Sequence, residues 1–177
     1  MGEILQFKKR KLLIGVLFSD PGCLNELMTH LERYFGAVDY TSAALPFHYT
    51  RYYEEEMGKE LKKIFYSFQN LVGPETLSEI KARTNTLEDL FTHPGGRRIN
   101  LDPGLLDQSR LILATTKDHS HRIPLQHGIY GEITLIYTNK QYRDLPWTYP
   151  DFRSREYKNI LCEIRNIFSA QLKQESR

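Results

Sequence analysis

Leu12-Leu13-Ile14-Gly15-Val16-Leu17-Phe18 is a run of seven residues without one polar side chain. A strand with one wet face alternates apolar and polar residues. An unbroken apolar run of this length reads instead as a strand buried on both faces. The rest of the chain must therefore supply cover for both sides of it.

Downstream, Leu24, Leu27, Met28, Leu31 and Phe35 recur at helical spacing, with Gly36 placed to end the last turn. Val38 to Phe47 reads as a second strand ending at Pro46. Tyr49 to Gly58, with three tyrosines and three successive glutamates, has neither a strand nor a helix period. Ile64, Tyr66 and Phe68 alternate as a strand, which Phe65 interrupts.

Thr76 and Glu79 are spaced as a capping box, and Leu77, Ile80, Thr84, Leu87 and Phe91 mark one face of a second helix. Arg97 to Leu101 predicts a short strand, and Asp102-Pro103-Gly104 a tight turn. Leu111 to Thr116 and Ile129 to Tyr137 are strands. Thr138-Asn139-Lys140 is a hairpin turn into a short strand near Tyr142 to Leu145. Tyr157, Ile160, Leu161, Ile164, Ile167, Phe168 and Leu172 form the stripe of a final helix with Ser154 as N-cap.

The order β-α-β-β-α-β, then further strands and a closing helix, predicts an α+β fold. Its mostly antiparallel sheet would carry helices on a split-βαβ (ferredoxin-like) core with C-terminal additions. The 177 residues suit a single domain (1–177), with 1–10 and 173–177 as flexible ends.

A 40% hydrophobic, 26% charged chain excludes a disordered segment, a collagen-like repeat and a disulfide scaffold. Net charge of +2 argues against a dedicated nucleic-acid protein; Arg97-Arg98 and Lys59 to Lys63 near aromatics are the residues that keep RNA open. Lys8 to Phe18 followed by Cys23 imitates a lipoprotein signal, but its apolar run is at the bottom of the usual ~7–15 residues. Asp20-Pro21-Gly22 also stands where small or aliphatic residues are needed. With only Cys23 and Cys162, and no apolar run near the ~18 residues of a span, the expectation is a soluble cytoplasmic protein away from the membrane.

No phosphate-cradling G-x-x-x-x-G-K-[ST], no G-x-G-x-x-G and no G-x-S-x-G occurs. Asn139-Lys140-Gln141-Tyr142 carries tyrosine where a guanine-reading acid should stand. His48-Tyr49-Thr50 is a single His-x-Thr where phosphoesterase chemistry needs two.

Chemistry concentrates in Thr115 to Glu132, between two strands, where Lys117, Asp118, His119, His121, Arg122 and His127 cluster. Three readings compete. Lys117, Arg122 and an imidazole would bind a phosphate or carboxylate, Arg as a fork and Lys as a point charge. His119 and His121, with Asp118, His127 or Glu132, would form a metal site, although the spacing matches no tight signature. Otherwise the charges form a solvated loop. Pro146-Trp147-Thr148-Tyr149-Pro150 would wall a pocket or pack the last helix.

Tyr52-Tyr53-Glu54-Glu55-Glu56-Met57-Gly58, Asn100-Leu101-Asp102-Pro103-Gly104, Ala114-Thr115-Thr116-Lys117-Asp118, His121-Arg122-Ile123 and Pro146-Trp147-Thr148-Tyr149-Pro150-Asp151 together resemble the domain-of-unknown-function family 4416, a family of bacterial proteins of similar length. The resemblance covers nearly the whole chain and implies no activity or cofactor. Some members carry a GTP-binding label, which the missing guanine motifs do not support. It sets Lys117, Asp118, His121, Arg122 and Glu132 in motif positions, whereas His119 and His48 depart from the pattern. That departure weakens the two-histidine metal reading.

Two functions fit these residues. The first is a small protein, with or without enzymatic activity, that binds an anionic, phosphorylated or nucleotide-like molecule. Lys117 and Arg122 would hold the anion, and His121 would act as acid/base, oriented by Glu132 or Asp118. Asp102, Tyr130, Trp147, Tyr149 and Glu54 would be further ligand contacts, with no metal assigned. The alternative is an interaction module using aromatic surface around Trp147 and Tyr149.

Overall fold

The computed structural model describes residues 2–175. The apolar run lies in β1 (Arg10–Phe18), which pairs antiparallel with β4 (Lys62–Val72) on one side and β7 (Ile99–Leu106) on the other. Leu12, Ile14, Val16 and Phe18 pack on one face against α1 (Leu24–Phe35) and α3 (Leu77–Leu90). Leu13 faces the opposite way, against α4 (Arg155–Glu175). Two covered faces explain the missing alternation, each fully buried Leu, Ile or Phe contributing roughly 1.5–3 kcal/mol relative to exposure. Phe65 breaks the alternation of β4 for the same reason: it turns toward α4 while Ile64 and Tyr66 turn toward α1 and α3.

Between α1 and β4 the chain forms β2 (Val38–Thr41), β3 (Leu45–Pro46) and a one-turn helix α2 (Glu54–Met57). The single strand expected over Val38 to Phe47 is thus two, each pairing with β4. After α3 come a small separate hairpin, β5 (Thr92–His93) with β6 (Gly96–Arg97), then β7 and β8 (Arg110–Thr115). The sheet is completed by β9 (Ile123–Pro124), β10 (Tyr130–Thr138) and β11 (Gln141–Asp144).

Every registered pair is antiparallel, and the main sheet runs β11-β10-β8-β7-β1-β4-β2, with β3 beside β4 and β9 beside β10. The protein is α+β, with four α-helices among the described residues. No helix among them is long and apolar enough to cross a membrane.

Several local expectations hold. Asn139 and Lys140 both take positive φ in a two-residue turn closing β10 onto β11, the geometry a right-twisted hairpin requires. Ser154 Oγ accepts from Tyr157 N at the start of α4.

Others are corrected. The Thr76–Glu79 capping box does not form, because the chain enters α3 through a 3-10 turn (Pro74–Thr76) and the Thr76 hydroxyl donates to Gly73 O at 2.8 Å. Of the tail expected to be flexible, α4 carries residues up to Glu175, and the last two lie outside the described residues. At the other end Met1 lies outside them, the following stretch to Lys9 has no regular structure, and Arg10 already belongs to β1.

The correction that matters most is Asp102-Pro103-Gly104, expected to turn and found inside β7. Pro103 pairs with Ile14 of β1 but lies one residue beyond the last β7–β8 pair, Gly104↔Leu113. A missing N–H is tolerated where a strand is bonded on one side only. Gly104 serves close approach: a Cβ there would fall 2.6 Å from Leu113 Cδ2 and 2.9 Å from Ile112 O. Pairing along β1 thus overrides local turn chemistry.

Candidate functional site

The β7–β8 ladder stops at Gly104↔Leu113, while β8 continues to pair with β10 as far as Thr115↔Tyr130. The sheet therefore forks, and a cavity of about 650 Å³ occupies the fork. Asn100 and Asp102 wall it from β7, and Leu113 to Lys117 from β8 and the loop beyond. Tyr49 to Tyr53 and Tyr149 to Phe152 complete it.

On β7 the fork leaves Leu101 without a β8 partner. Its N–H donates to Glu88 Oε1 at 2.8 Å and its carbonyl accepts from Lys81 Nζ at 2.7 Å. Two side chains of α3 thus take the place of a strand, the condition for burying this backbone at all. Glu88 is in turn held by Arg97 Nη1 at 2.7 Å, and Arg97 forks onto Glu56 with contacts of 2.7 and 2.8 Å. Burial pushes the Glu88 carboxyl above the usual range, against the pull of Lys81.

The floor of the cavity is a charge cluster. Lys63 Nζ on β4 lies 2.8 Å from Asp102 Oδ2 and 3.3 Å from Asp151 Oδ2, and Asn100 Nδ2 donates to Asp102 Oδ1 at 2.9 Å. Burial opposes the ammonium, but Asp102 and Asp151 outweigh it and hold Lys63 above the ordinary lysine range. Asp102 is likewise held below the carboxylate range, because Lys63 and Lys81 overcome its desolvation. Burial, then the Asp102 charge, pushes the neighbouring Tyr53 hydroxyl up.

One β1 residue makes this reach feasible. Lys63 and Asp102 stand on strands either side of β1, and Gly15, paired with Phe65 and Asp102, leaves the gap that the lysine stem crosses. A Cβ there would fall 2.9 Å from Lys63 Cε.

Elsewhere on the lining, Glu132 Oε2 accepts from Arg122 Nε at 2.7 Å and lies 3.1 Å from His121 Nε2. Arg122 also donates to Lys117 O at 2.7 Å and to the Tyr149 hydroxyl at 2.6 Å. Burial and the Glu132 charge push that hydroxyl up to about 12. Lys117 rests over the Tyr52 ring, Nζ 4.2 Å from the centroid, and no ion pair engages it among the described residues. Trp147 donates to Ile133 O at 2.8 Å and stacks on His121 with centroids 5.0 Å apart.

The fold brings Lys117, Arg122, Glu132, Asp102 and Tyr149 to the lining of one cavity. His121 stands behind them, touching the wall through Glu132, with Trp147 behind it in turn. Asp118 is exposed in the loop, Glu54 opens α2, and Tyr130 pairs with Thr115 and Pro124; none of the three lines the cavity. No group of three His, Cys, Asp or Glu among the described residues is placed to hold a metal ion.

Sequence reasoning missed Lys63, Lys81, Glu88 and Asp151 as site residues. Lys81 and Glu88, seven apart on the apolar face of α3 with Thr84 between them, were the one legible signal. Of the cations that kept RNA open, Lys63 is engaged as above, Arg97 by Glu56 and Glu88, and Arg98 by Asp20, while Lys59 and Lys62 are exposed.

A family model described as a domain of unknown function, DUF4416, matches residues 8–168. No curated protein and no solved structure matches the chain.

Proposed function

The chain belongs to the domain-of-unknown-function family DUF4416, and we propose that it is a small-molecule-binding protein that takes an anionic, phosphorylated or nucleotide-like ligand into the fork cavity. The observation carrying this reading is Lys117. It stands on the wall of a 650 Å³ cavity, over an aromatic ring and without a carboxylate partner among the described residues. Concave sites of a few hundred Å³ with aromatic walls and a few convergent polar groups are the usual form of ligand pockets. Arg122 beside it is pre-oriented by three contacts and keeps guanidinium hydrogens for an incoming oxyanion. A reaction on that ligand would recruit His121 through Glu132. On this reading the chain works as one domain in the cytoplasm. Its order β7-β1-β4-β2, with α1 and α3 in the two crossovers, supports a split-βαβ (ferredoxin-like) core.

A thermal-shift screen against nucleotides, phosphorylated metabolites, small acids and divalent metals tests the proposal. A true ligand at a hundredfold excess over its Kd stabilises the fold by about 2.7 kcal/mol, and the shift should vanish in Lys117→Ala and shrink in Arg122→Ala. A flat screen would overturn it. The second reading, an interaction surface, draws on the exposure of Ile123, Leu125, Trp147 and Tyr149 around β9 and the loop after β11. A pull-down lost on Trp147→Ala would favour it.

A further inference from the structure

We infer that the α3 side of the cavity is a subsite for hydroxyl groups, so that the anionic ligand is a sugar phosphate. The inference rests on the anion-binding reading of the same cavity and names the class of molecule that carries the anion.

Helix α3 presents Lys81, Asn85, Glu88 and Asp89 to the cavity, spaced i, i+4, i+7 and i+8 along one face. Lys81 and Glu88 are taken up by the Leu101 backbone and by Arg97. Asn85 and Asp89 are not. Neither side chain has a hydrogen-bond or ion-pair partner among the described residues. The threonines flanking Asn85 do have one, since Thr84 Oγ1 donates to Lys81 O at 2.9 Å and Thr86 Oγ1 to Ala82 O at 3.2 Å.

Both unpartnered residues work against the helix that carries them. Asparagine is a poor helix former in an interior turn, because its amide competes for backbone groups. Aspartate in the last turn adds negative charge at the negative end of the helix dipole, and no basic residue in that turn offsets it. Local rules broken without a compensating contact are the mark of a functional position. Asn85 is also half-buried, so part of its amide is drawn from water with nothing in exchange.

The chemistry left free here matches hydroxyls. A carboxylate accepts at two oxygens, as adjacent hydroxyls require, while an amide both donates and accepts. The hydroxyls of Tyr49 and Tyr53, half-buried on the same lining and also without a partner among the described residues, do both as well. Their rings pack edge-on against Phe47 and offer an apolar surface to the C–H face of a sugar. An alkyl chain would leave all four polar groups bare, and a second acid would meet the Asp89 carboxylate. Lys117 takes the phosphate from a different element, the loop after β8.

Isothermal titration of the full chain with pentose and hexose monophosphates, each paired with the alkyl phosphate of equal carbon number, tests this. At least one sugar phosphate should bind about tenfold tighter or more than its alkyl partner, the scale of one or two added hydrogen bonds. That preference should fall below about threefold in Asn85→Ala and in Asp89→Ala, with alkyl phosphate affinity unchanged. The melting temperature of both variants without ligand should hold or rise, as removal of a residue unfavourable to the helix requires. A fall in both would make the two residues structural and overturn the subsite, as would a sugar preference that survives both substitutions. Equal affinity within every pair, with phosphate binding still lost in Lys117→Ala, would overturn the sugar and leave the anion site standing. No binding by any member would overturn the sugar phosphate, and a flat screen of the other anions would overturn the anion site with it.

Discussion

Lys63 on β4 meets Asp102 on β7 at 2.8 Å across the strand that separates them, passing over Gly15. The contact joins the two strands that flank β1 through the one position of β1 that carries no side chain. It follows that the apolar run of β1 does more than fill two cores. It holds the opening through which the cavity floor is assembled.

Gly15→Ala should therefore cost more than an ordinary strand Gly→Ala, which local propensity alone would favour. The new Cβ would meet Lys63 Cε at 2.9 Å and Phe65 Cε1 at 3.1 Å, and the lysine stem, tied at its tip to two carboxylates, has little room to yield. Overpacking of this kind costs about 1–3 kcal/mol. Urea denaturation should show a lower midpoint at unchanged m; an unchanged or higher midpoint would show that the stem relaxes freely.

Lys63→Met should destabilise strongly, because it leaves Asp102 and Asp151 without their cation. Breaking a buried pair costs about 3–5 kcal/mol, and the exposure of Asp102 argues for the lower end. Adding Asp102→Asn and Asp151→Asn to Lys63→Met should recover a large part of the loss. A triple variant as unstable as the single one would show that the lysine matters through its stem alone.

Glu88→Ala should cost about 1–3 kcal/mol by orphaning the Leu101 N–H and unbalancing Arg97 and Lys81. The distinctive readout is local. Hydrogen exchange at the Leu101 amide should accelerate well beyond that of residues on the β1–β4 ladder. Uniform acceleration across the sheet would instead mean that only global stability had changed.

The stability profile against pH should be flat in the middle and fall at both ends. Asp102 has a lowered folded pKa, so its contribution is present above the ordinary carboxylate value of ~3.9 and is lost as pH falls through the folded one. Lys63 has a raised folded pKa, so its contribution is complete below the ordinary lysine value of ~10.4 and is lost as pH rises through the folded one. Tyr149, pushed up to about 12, adds to the alkaline loss in the same sense. The melting temperature should be level from about pH 5 to 9. Its acid limb should be shallower in Asp102→Asn, and an identical acid limb in that variant would remove Asp102 from the explanation.

Much of the site was legible only in part. Lys117, Arg122 and Glu132 stood out because they cluster in one segment between two strands, and a short segment stays together in any fold. Asp102 was named for its motif position and given the wrong backbone, since Asp-Pro-Gly is turn chemistry until pairing with β1 draws it into a strand. Lys63 was marked only as one of a run of basic residues and Asp151 only as the end of a resemblance block, with nothing local to join them. One reads as a charge at the start of a strand, the other as a helix-start acid after proline, and they are 88 residues apart.

By itself the sequence determined where β1, β4, β8, β10 and the three long helices lie and that β1 is buried on both sides. It also determined where α1 ends and which turn closes β10 onto β11. These follow from side-chain periodicity and φ preferences, which act over a few residues. Tertiary structure alone decided that β8 leaves β7 at Gly104 and that α3 side chains bond the backbone so exposed. It alone also brought Lys63, Asp102 and Asp151 to one point. Those outcomes depend on strand order and register, and register is a property of two strands at once, written in neither of them alone.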